Sequence, residues 1–466
     1  MNKPIFLCVI VAAVFLTIAG CCLIGEDQGY IVYQAVDGDG KPAPEVVVLD
    51  AGGKELRRIE LPDDVGLLYP FRFPLSRHVL YEDPTVTQKW FLVDIISGEL
   101  QEFDSLGWGQ DYARPCAFSS DAVLLCGKEG VYQLDVDAGE VLDVPIELDP
   151  TRPVPPLVEL DSPDEAYFLV WTYGDLWLVP AATPETTRRL GLERGASHAT
   201  LSDDNELIAY TERTEEGDTQ VIKEKIDGSD SEIILSDPDV YCVKFVPKHD
   251  QLVIVRRELV SLYSLDDQEE HKLFEPVDMV RAPWFDPEGK KAAFCVGGRK
   301  IAKVGWIYVD LEKRTEEKLY ELEGYYKVHG QASSRWLFLA DDHPQGDVRI
   351  ASLDLETAKV RMHVSLEGVR DFHFVDLTKD GRVGLVIVFL EKGEMQIWLL
   401  VAEEDDAVLL AESRAVNCSL SPDGEWVALS EREESDGQTT TIKLVATDSG
   451  EELVVGEGFM PVWAKP

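Results

Sequence analysis

The residues able to do chemistry are numerous in this chain, but few are spaced for it. Eight histidines stand at positions 78, 198, 249, 271, 329, 343, 363 and 373, mostly reading as turn or strand-surface residues. No H-E-x-x-H and no Cys/His pattern at zinc spacing occurs. A serine nucleophile of the α/β-hydrolase kind needs a G-x-S-x-G elbow, and none is present. Phosphate-cradling and dinucleotide-binding glycine motifs are also missing. The 87 acidic residues leave a carboxylate-pair glycosidase open, but their abundance singles out no pair. Asp37-Gly-Asp-Gly-Lys41 begins like a calcium loop. Its fifth position is Lys and no bidentate Glu follows at the twelfth, so it reads as a polar turn. No catalytic residue, metal or cofactor is assigned.

The charge balance narrows the partners. Against 87 acidic residues stand 44 basic ones, a net charge of −43. A chain so negative repels phosphate backbones and anionic lipid surfaces, which argues against nucleic-acid binding and against a polybasic membrane patch. Acidity spread over most of the length reads first as a solvated surface, with an acidic docking face as the sharper alternative.

The amino terminus carries the one strong targeting signal. Met1-Asn2-Lys3 is a short positive start, and Pro4 to Gly20 is apolar throughout. This is the layout of a secretory signal, with small residues before the cut. Ile18-Ala19-Gly20-Cys21 resembles a bacterial lipobox. That resemblance implies a signal peptide over residues 1–20, cleavage before Cys21, diacylation of its sulfur and a lipidated tether over residues 21–28. The alternative is an uncleaved anchor, since Pro4 to Gly25 is long enough to span a bilayer. Either way the remainder lies outside the cytoplasm, in the cell envelope. Cys22 in second place resembles an outer-membrane or cell-surface address. Of the eight cysteines, Cys116, Cys126, Cys242, Cys295 and Cys418 fall in predicted strands, where a buried thiol is the common outcome. Export also permits a Cys116–Cys126 bridge on one hairpin.

The rest of the chain repeats. The clearest unit is Cys418-Ser-Leu-Ser-Pro-Asp-Gly-Glu-Trp-Val-Ala-Leu-Ser430, followed by strands at Thr440–Ala446 and Glu452–Val455. In the turn Ser421-Pro-Asp-Gly424, Pro presets φ, Asp favours the turn and Gly releases the chain. Related turns lie near residues 76, 121, 164, 204, 250, 288, 334 and 380. Their spacing matches the period of about 40–45 residues of a four-stranded propeller blade. The mature amino terminus offers three strands, at Tyr30–Ala35, Glu45–Leu49 and Glu55–Leu61. The carboxyl terminus, Gly458–Ala464, offers one. Together they make a shared blade, which would close a ring of about ten units over residues 29–466. Closure removes open sheet edges.

The S-P-D-G unit resembles the WD40-like repeat of TolB-type propellers of the bacterial envelope. The resemblance implies an all-β propeller fold and a protein-interaction habit, and it carries over no catalytic residue. The loops between second and third strands then fall on one side. They include Asp37 and Asp39; Glu82 and Asp83; Glu215, Glu216 and Asp218; Asp341, Asp342 and Asp347; and Glu433, Glu434 and Asp436. Such a set forms a candidate acidic binding face for a basic partner. The reading is a lipid-anchored, non-enzymatic scaffold that binds another envelope protein. The alternative is a propeller enzyme or binding protein taking a saccharide or small metabolite in a central channel. Replacing Cys21 by Ser is expected to leave an unprocessed precursor and to abolish fatty-acid labelling. Normal processing of that variant would refute lipidation.

Overall fold

The computed structural model describes residues 29–464, apart from residues 40, 71–76, 84–88, 104–113, 120–121, 128–129, 149–156, 160–164, 173–174, 192–194, 277, 282, 298–302, 324, 330–333, 343–346, 379, 392–393, 413–414 and 433–439. A few strand residues, among them Cys116, Asp341 and Asp342, are described by backbone alone. The expected signal peptide, Cys21 and the expected tether over residues 21–28, and the turns near 76, 121 and 164 lie outside the described residues.

Local turn chemistry sets the repeat. In three turns the same hydrogen bonds recur. The Ser202 hydroxyl donates to Asp204 Oδ1 (2.6 Å) and accepts the Leu207 N–H (3.0 Å), and Asp204 Oδ1 also accepts the Glu206 N–H (3.0 Å). Thr378, Asp380, Arg382 and Val383 repeat this set, as do Ser421, Asp423, Glu425 and Trp426. Each carboxylate thereby satisfies backbone groups that a tight turn would strand. The hydroxyl and N–H donors hold the Asp204 carboxyl below its usual range. Glycine is required here for a second reason beyond the turn. Gly381 has φ +70°, and a Cβ there would stand 2.7 Å from the Trp336 carbonyl of the preceding blade. Gly289 meets the Pro247 carbonyl in the same way.

These turns join antiparallel strands into sheets. Eight separate four-stranded blades, each paired in chain order, cover residues 69–103, 114–144, 157–190, 197–236, 240–274, 284–323, 325–366 and 369–412. The fold is all-β and of the β-propeller class; among the described residues the helical content is one 3₁₀ turn, Pro184–Thr186. The remaining strands form one seven-stranded sheet, in the order Glu55–Glu60, Pro42–Asp50, Tyr30–Val36, Glu452–Ala464, Thr440–Ala446, Trp426–Arg432, Ala415–Leu420. The count of about ten separate units therefore differs from the eight separate blades observed. The difference arises at Glu452–Ala464, which pairs first with Thr440–Ala446 and then with Tyr30–Val36, so the strands near the two chain ends merge. Gly456 and Gly458 make that passage, since a Cβ at 456 would overlap the Tyr33 hydroxyl and one at 458 the Tyr33 ring.

The chain divides into two compact units. One runs to Asp104 and resumes at Arg414; the other is Ser105–Ser413. In the first, Val32, Val46, Val48, Tyr81, Phe91 and Val462 pack together, and Ile31, Tyr33, Leu444 and Trp463 form a second cluster. In the second, Val253, Phe274, Phe294 and Val309 make one of several cores between neighbouring blades. Second strands such as Ala122–Cys126 are buried along their length. That is why they read as unbroken apolar runs rather than alternations. Cys126 is buried, and the side chain of its expected bridge partner, Cys116, lies outside the described residues.

Outer strands carry most of the exposure and a recurring irregularity. In seven of the third-to-fourth strand pairs the register slips by one residue. The extra residues on the outer strand are Leu56, Ile234, Leu273, Leu319, His363, Leu410 and Val455. A bulge there increases the local twist and turns the free edge away from another sheet. Removing Gly458–Pro466 takes the buried Phe459, Val462 and Trp463 from the merged sheet, at about 1.5–3 kcal/mol each, and bares the Tyr30–Val36 edge. The truncated protein is expected to melt markedly lower or to aggregate; a melting temperature matching the parent would contradict the pairing of the chain ends.

Candidate functional site

Two regions carry charge in arrangements that a partner could use. The first is the set of turns between second and third strands. Glu215, Glu216 and Asp218 share the turn between strands Leu207–Arg213 and Thr219–Lys225. The turn is closed by Thr214 N–H to the Asp218 carbonyl (2.8 Å) and by Gly217 N–H to the Thr214 carbonyl (3.0 Å). All three carboxylates are exposed, and none has an ion-pair partner among the described residues. Asp342 ends one strand of the 325–366 blade and faces Val348 at the start of the next. Asp341, Asp342 and Asp347 thus stand at the equivalent turn of that blade. Asp37 and Asp39 hold the equivalent turn of the merged sheet, where Asp37 Oδ1 accepts the N–H groups of Asp39 and Lys41, both at 2.9 Å. The calcium-like sequence is a polar turn. Glu433, Glu434 and Asp436 lie outside the described residues.

One member of the expected set is elsewhere. Asp83 is the last residue of strand His78–Asp83, fully buried, and accepts the Gly66 N–H at 3.0 Å. Its carboxylate anchors the chain entering the blade and is unavailable to a partner. The histidines also depart from the surface reading at two places, since His78 and His363 are buried.

The second region has no counterpart in the sequence reading. A cleft of about 730 Å³ is lined by Arg335, Trp336, Asp354, Thr357, Lys359, Arg361 and Glu403. It lies at the end of the 325–366 blade opposite Asp342, because Trp336 pairs with Asp354 at one end and Asp342 with Val348 at the other. Arg335 grips Asp354 with two hydrogen bonds (Nε–Oδ1 3.1 Å, Nη2–Oδ2 2.9 Å). It also pairs with Glu356 and stacks 5.0 Å from the centre of the Trp336 ring. Burial works against ionisation of Asp354, but the Arg335 guanidinium, the Thr357 hydroxyl and the Glu356 N–H outweigh it and hold the carboxyl below its usual range. Arg361 pairs with Asp405 (2.8 Å) and Glu403 with Arg382 (3.0 Å). A carboxylate committed in this way is an ionised structural anchor rather than a general acid. Lys359 has no ion-pair partner among the described residues.

His363 packs close to this cleft. It is the extra residue of the outer-strand bulge, a position held by aliphatic residues in the other six bulged pairs. Its Nε2 lies 2.9 Å from the Ser352 hydroxyl, which donates to the Ala402 carbonyl at 3.0 Å. Phe338 lies beside the ring at 6.0 Å. Burial, then the Arg361 charge, lowers its pKa to about 4, against the opposing influence of Asp405 and the Glu404 backbone. Among the described residues no group of three His, Cys, Asp or Glu is disposed to hold a metal ion, and no helix is long and apolar enough to cross a membrane.

Comparison with known proteins adds fold-level likeness. No family model and no curated protein matches the chain. Among solved structures, a eukaryotic initiation factor aligns over 94% of this chain and 99% of its own, at 11% identity and a TM-score of 0.51. The tricorn protease aligns over 94% of this chain at 11% identity and a TM-score of 0.39, so the chain spans about half (48%) of that protein. TolB from Acinetobacter baumannii aligns over 67% of this chain and 82% of its own, at 16% identity and a TM-score of 0.30. At these identities the likeness concerns the propeller fold alone.

The depressed His363 pKa makes a signed prediction. The unfolded chain takes up this proton near pH 6.5, whereas the folded chain resists it until about pH 4. The stability present above pH 6.5 is therefore lost as the pH falls through about 4, by on the order of 3 kcal/mol. His363→Leu, which restores the aliphatic type of the other bulges, is expected to flatten this part of the acid limb in denaturant titrations. An unchanged acid limb would contradict the burial of a neutral imidazole.

Proposed function

We propose that this protein is a non-enzymatic interaction module of the cell envelope, held to a membrane, outer membrane or cell surface, by lipid on Cys21. In this reading it presents its acidic turns to a basic region of another envelope protein. One observation carries it. Glu215, Glu216 and Asp218 stand exposed on a short closed turn with no ion-pair partner among the described residues. By contrast, Asp204, Asp380 and Asp423 at the opposite turns are consumed by hydroxyl and backbone donors. Free carboxylates on a rigid ladder suit long-range attraction of a basic surface. The bacterial-lipobox resemblance at Ile18–Cys21 supports the anchor, and the S-P-D-G repeat supports the interaction habit.

A second reading rests on the cleft at Arg335–Arg361. Its volume suits a small polar ligand, which would make the chain a ligand-binding or enzymatic propeller acting on a saccharide or metabolite. The saturated Arg335–Asp354 pair favours binding over catalysis.

Neutralising Glu215, Glu216 and Asp218 to Gln, Gln and Asn is expected to slow partner capture from native membranes and to weaken its salt dependence. Stability should change by less than about 0.5 kcal/mol per site. The matched control neutralises Glu206, Asp250 and Asp266, which lie at the opposite turns of the same unit. Equal loss in both sets would reduce the acidity to general solvation.

A further inference from the structure

The first compact unit has two chemically different ends, and the anchored chain leaves from one of them. Tyr30 pairs with Asp50 and with Ala464, so strand Tyr30–Val36 begins at the end that carries the turns 51–54 and 421–424. Gly29 is buried there beside the Pro422 ring. The turn holding Asp37 and Asp39 is at the other end, where Val36 pairs with Pro42.

The length of chain outside the described residues limits how the unit can sit. Eight residue steps separate Cys21 from Gly29, a reach of no more than roughly 29 Å when fully extended. The seven residues of Tyr30–Val36 already span about 23 Å. To bring the Asp37 end against a bilayer, the tether would have to run back nearly straight along the whole strand.

Among the described residues of this unit, four of the five exposed large apolar side chains fall on the end that the tether favours. Leu56, Ile96, Leu453 and Val454 are 50%, 46%, 44% and 61% exposed. Leu56 is the second residue of strand Glu55–Glu60, which starts at that end, and Leu453 and Val454 open strand Glu452–Ala464 there. Ile96 lies in the turn after strand Lys89–Asp94. The Leu453 and Val455 side chains lie over Gly53, and the Arg57 guanidinium lies over Gly98, which brings these turns side by side. Tyr69, the fifth such residue among those described, is at the opposite end, where it pairs with Glu82.

We propose that this end of the first unit rests on the surface of the bilayer that holds Cys21. Leu56, Ile96, Leu453 and Val454 make shallow contact with zwitterionic headgroups, and the Asp37–Asp39 end points into the aqueous compartment. The contact supplements the acyl chains with a second, apolar attachment. It is directed at neutral lipid, because the −43 charge opposes approach to an anionic surface. The proposal rests on lipidation of Cys21 and adds an orientation to it.

The test uses the processed, lipidated protein in phosphatidylcholine vesicles, with an environment-sensitive fluorophore on a cysteine introduced as Ser449→Cys or Asp39→Cys. Nitroxide-bearing lipid is expected to quench the label at 449 several-fold more than the label at 39. Leu453→Ser with Val454→Ser should narrow that difference while the protein stays vesicle-bound. Equal quenching at both positions, or more at 39, on vesicle-bound protein overturns the orientation and leaves the anchor standing. Protein that does not partition into the vesicle fraction overturns the anchor and the orientation with it.

Discussion

The first unit depends on one hydrogen-bonded ladder, between Tyr30–Val36 and the second half of Glu452–Ala464. It joins segments more than 400 residues apart in the chain. Closing so long a loop is costly, but the entropy grows only logarithmically with length, so a handful of strand pairs and a buried Trp463 can offset it. Without the ladder, Tyr30–Val36 would expose a row of unpaired N–H and C=O groups together with Ile31, Val32 and Tyr33. Such an edge recruits other chains. The glycines at 456 and 458 are the local condition for the ladder, because no side chain fits between the strand and Tyr33.

The same edge problem recurs on the outer strands, where it is handled without pairing. A bulge on seven of them, with charged neighbours such as Glu270, Lys272, Lys359 and Arg361, twists the free edge and makes it unattractive to another sheet. In one blade the bulge position holds His363 in place of an aliphatic residue. That substitution ties the outer strand to Ser352 and, through it, to Ala402 of the next blade. A position that packs aliphatic side chains in the other six bulges thereby makes a hydrogen bond here.

Much of the architecture was legible because turn chemistry repeats. Ser421-Pro-Asp-Gly424 and its relatives near 204, 250, 288 and 380 each join the first strand of a unit to its second, and the runs at Trp90, Val131, Leu176, Trp306 and Ile397 are third strands as expected. The merging of the two ends into one sheet was less legible, since nothing in Glu452–Ala464 marks where one pairing partner replaces another except two glycines. Asp83 reads as a loop carboxylate in the sequence, but the chain at Gly66 buries it. The cleft at Arg335–Arg361 could not have been read at all. It joins residues from four stretches between 335 and 403, and each of its charges looks like an ordinary surface residue until its partner is placed beside it.

Native-state hydrogen exchange of the amides in the Tyr30–Val36 and Gly458–Ala464 segments tests this account most directly. If their ladder holds the unit together, the amides of Ile31, Val32 and Val462 are protected as strongly as those of Val427 and Ala428 in the same sheet, and they exchange only with global opening. Exchange of those three amides as fast as a frayed terminus, while Val427 and Ala428 stay protected, would contradict it.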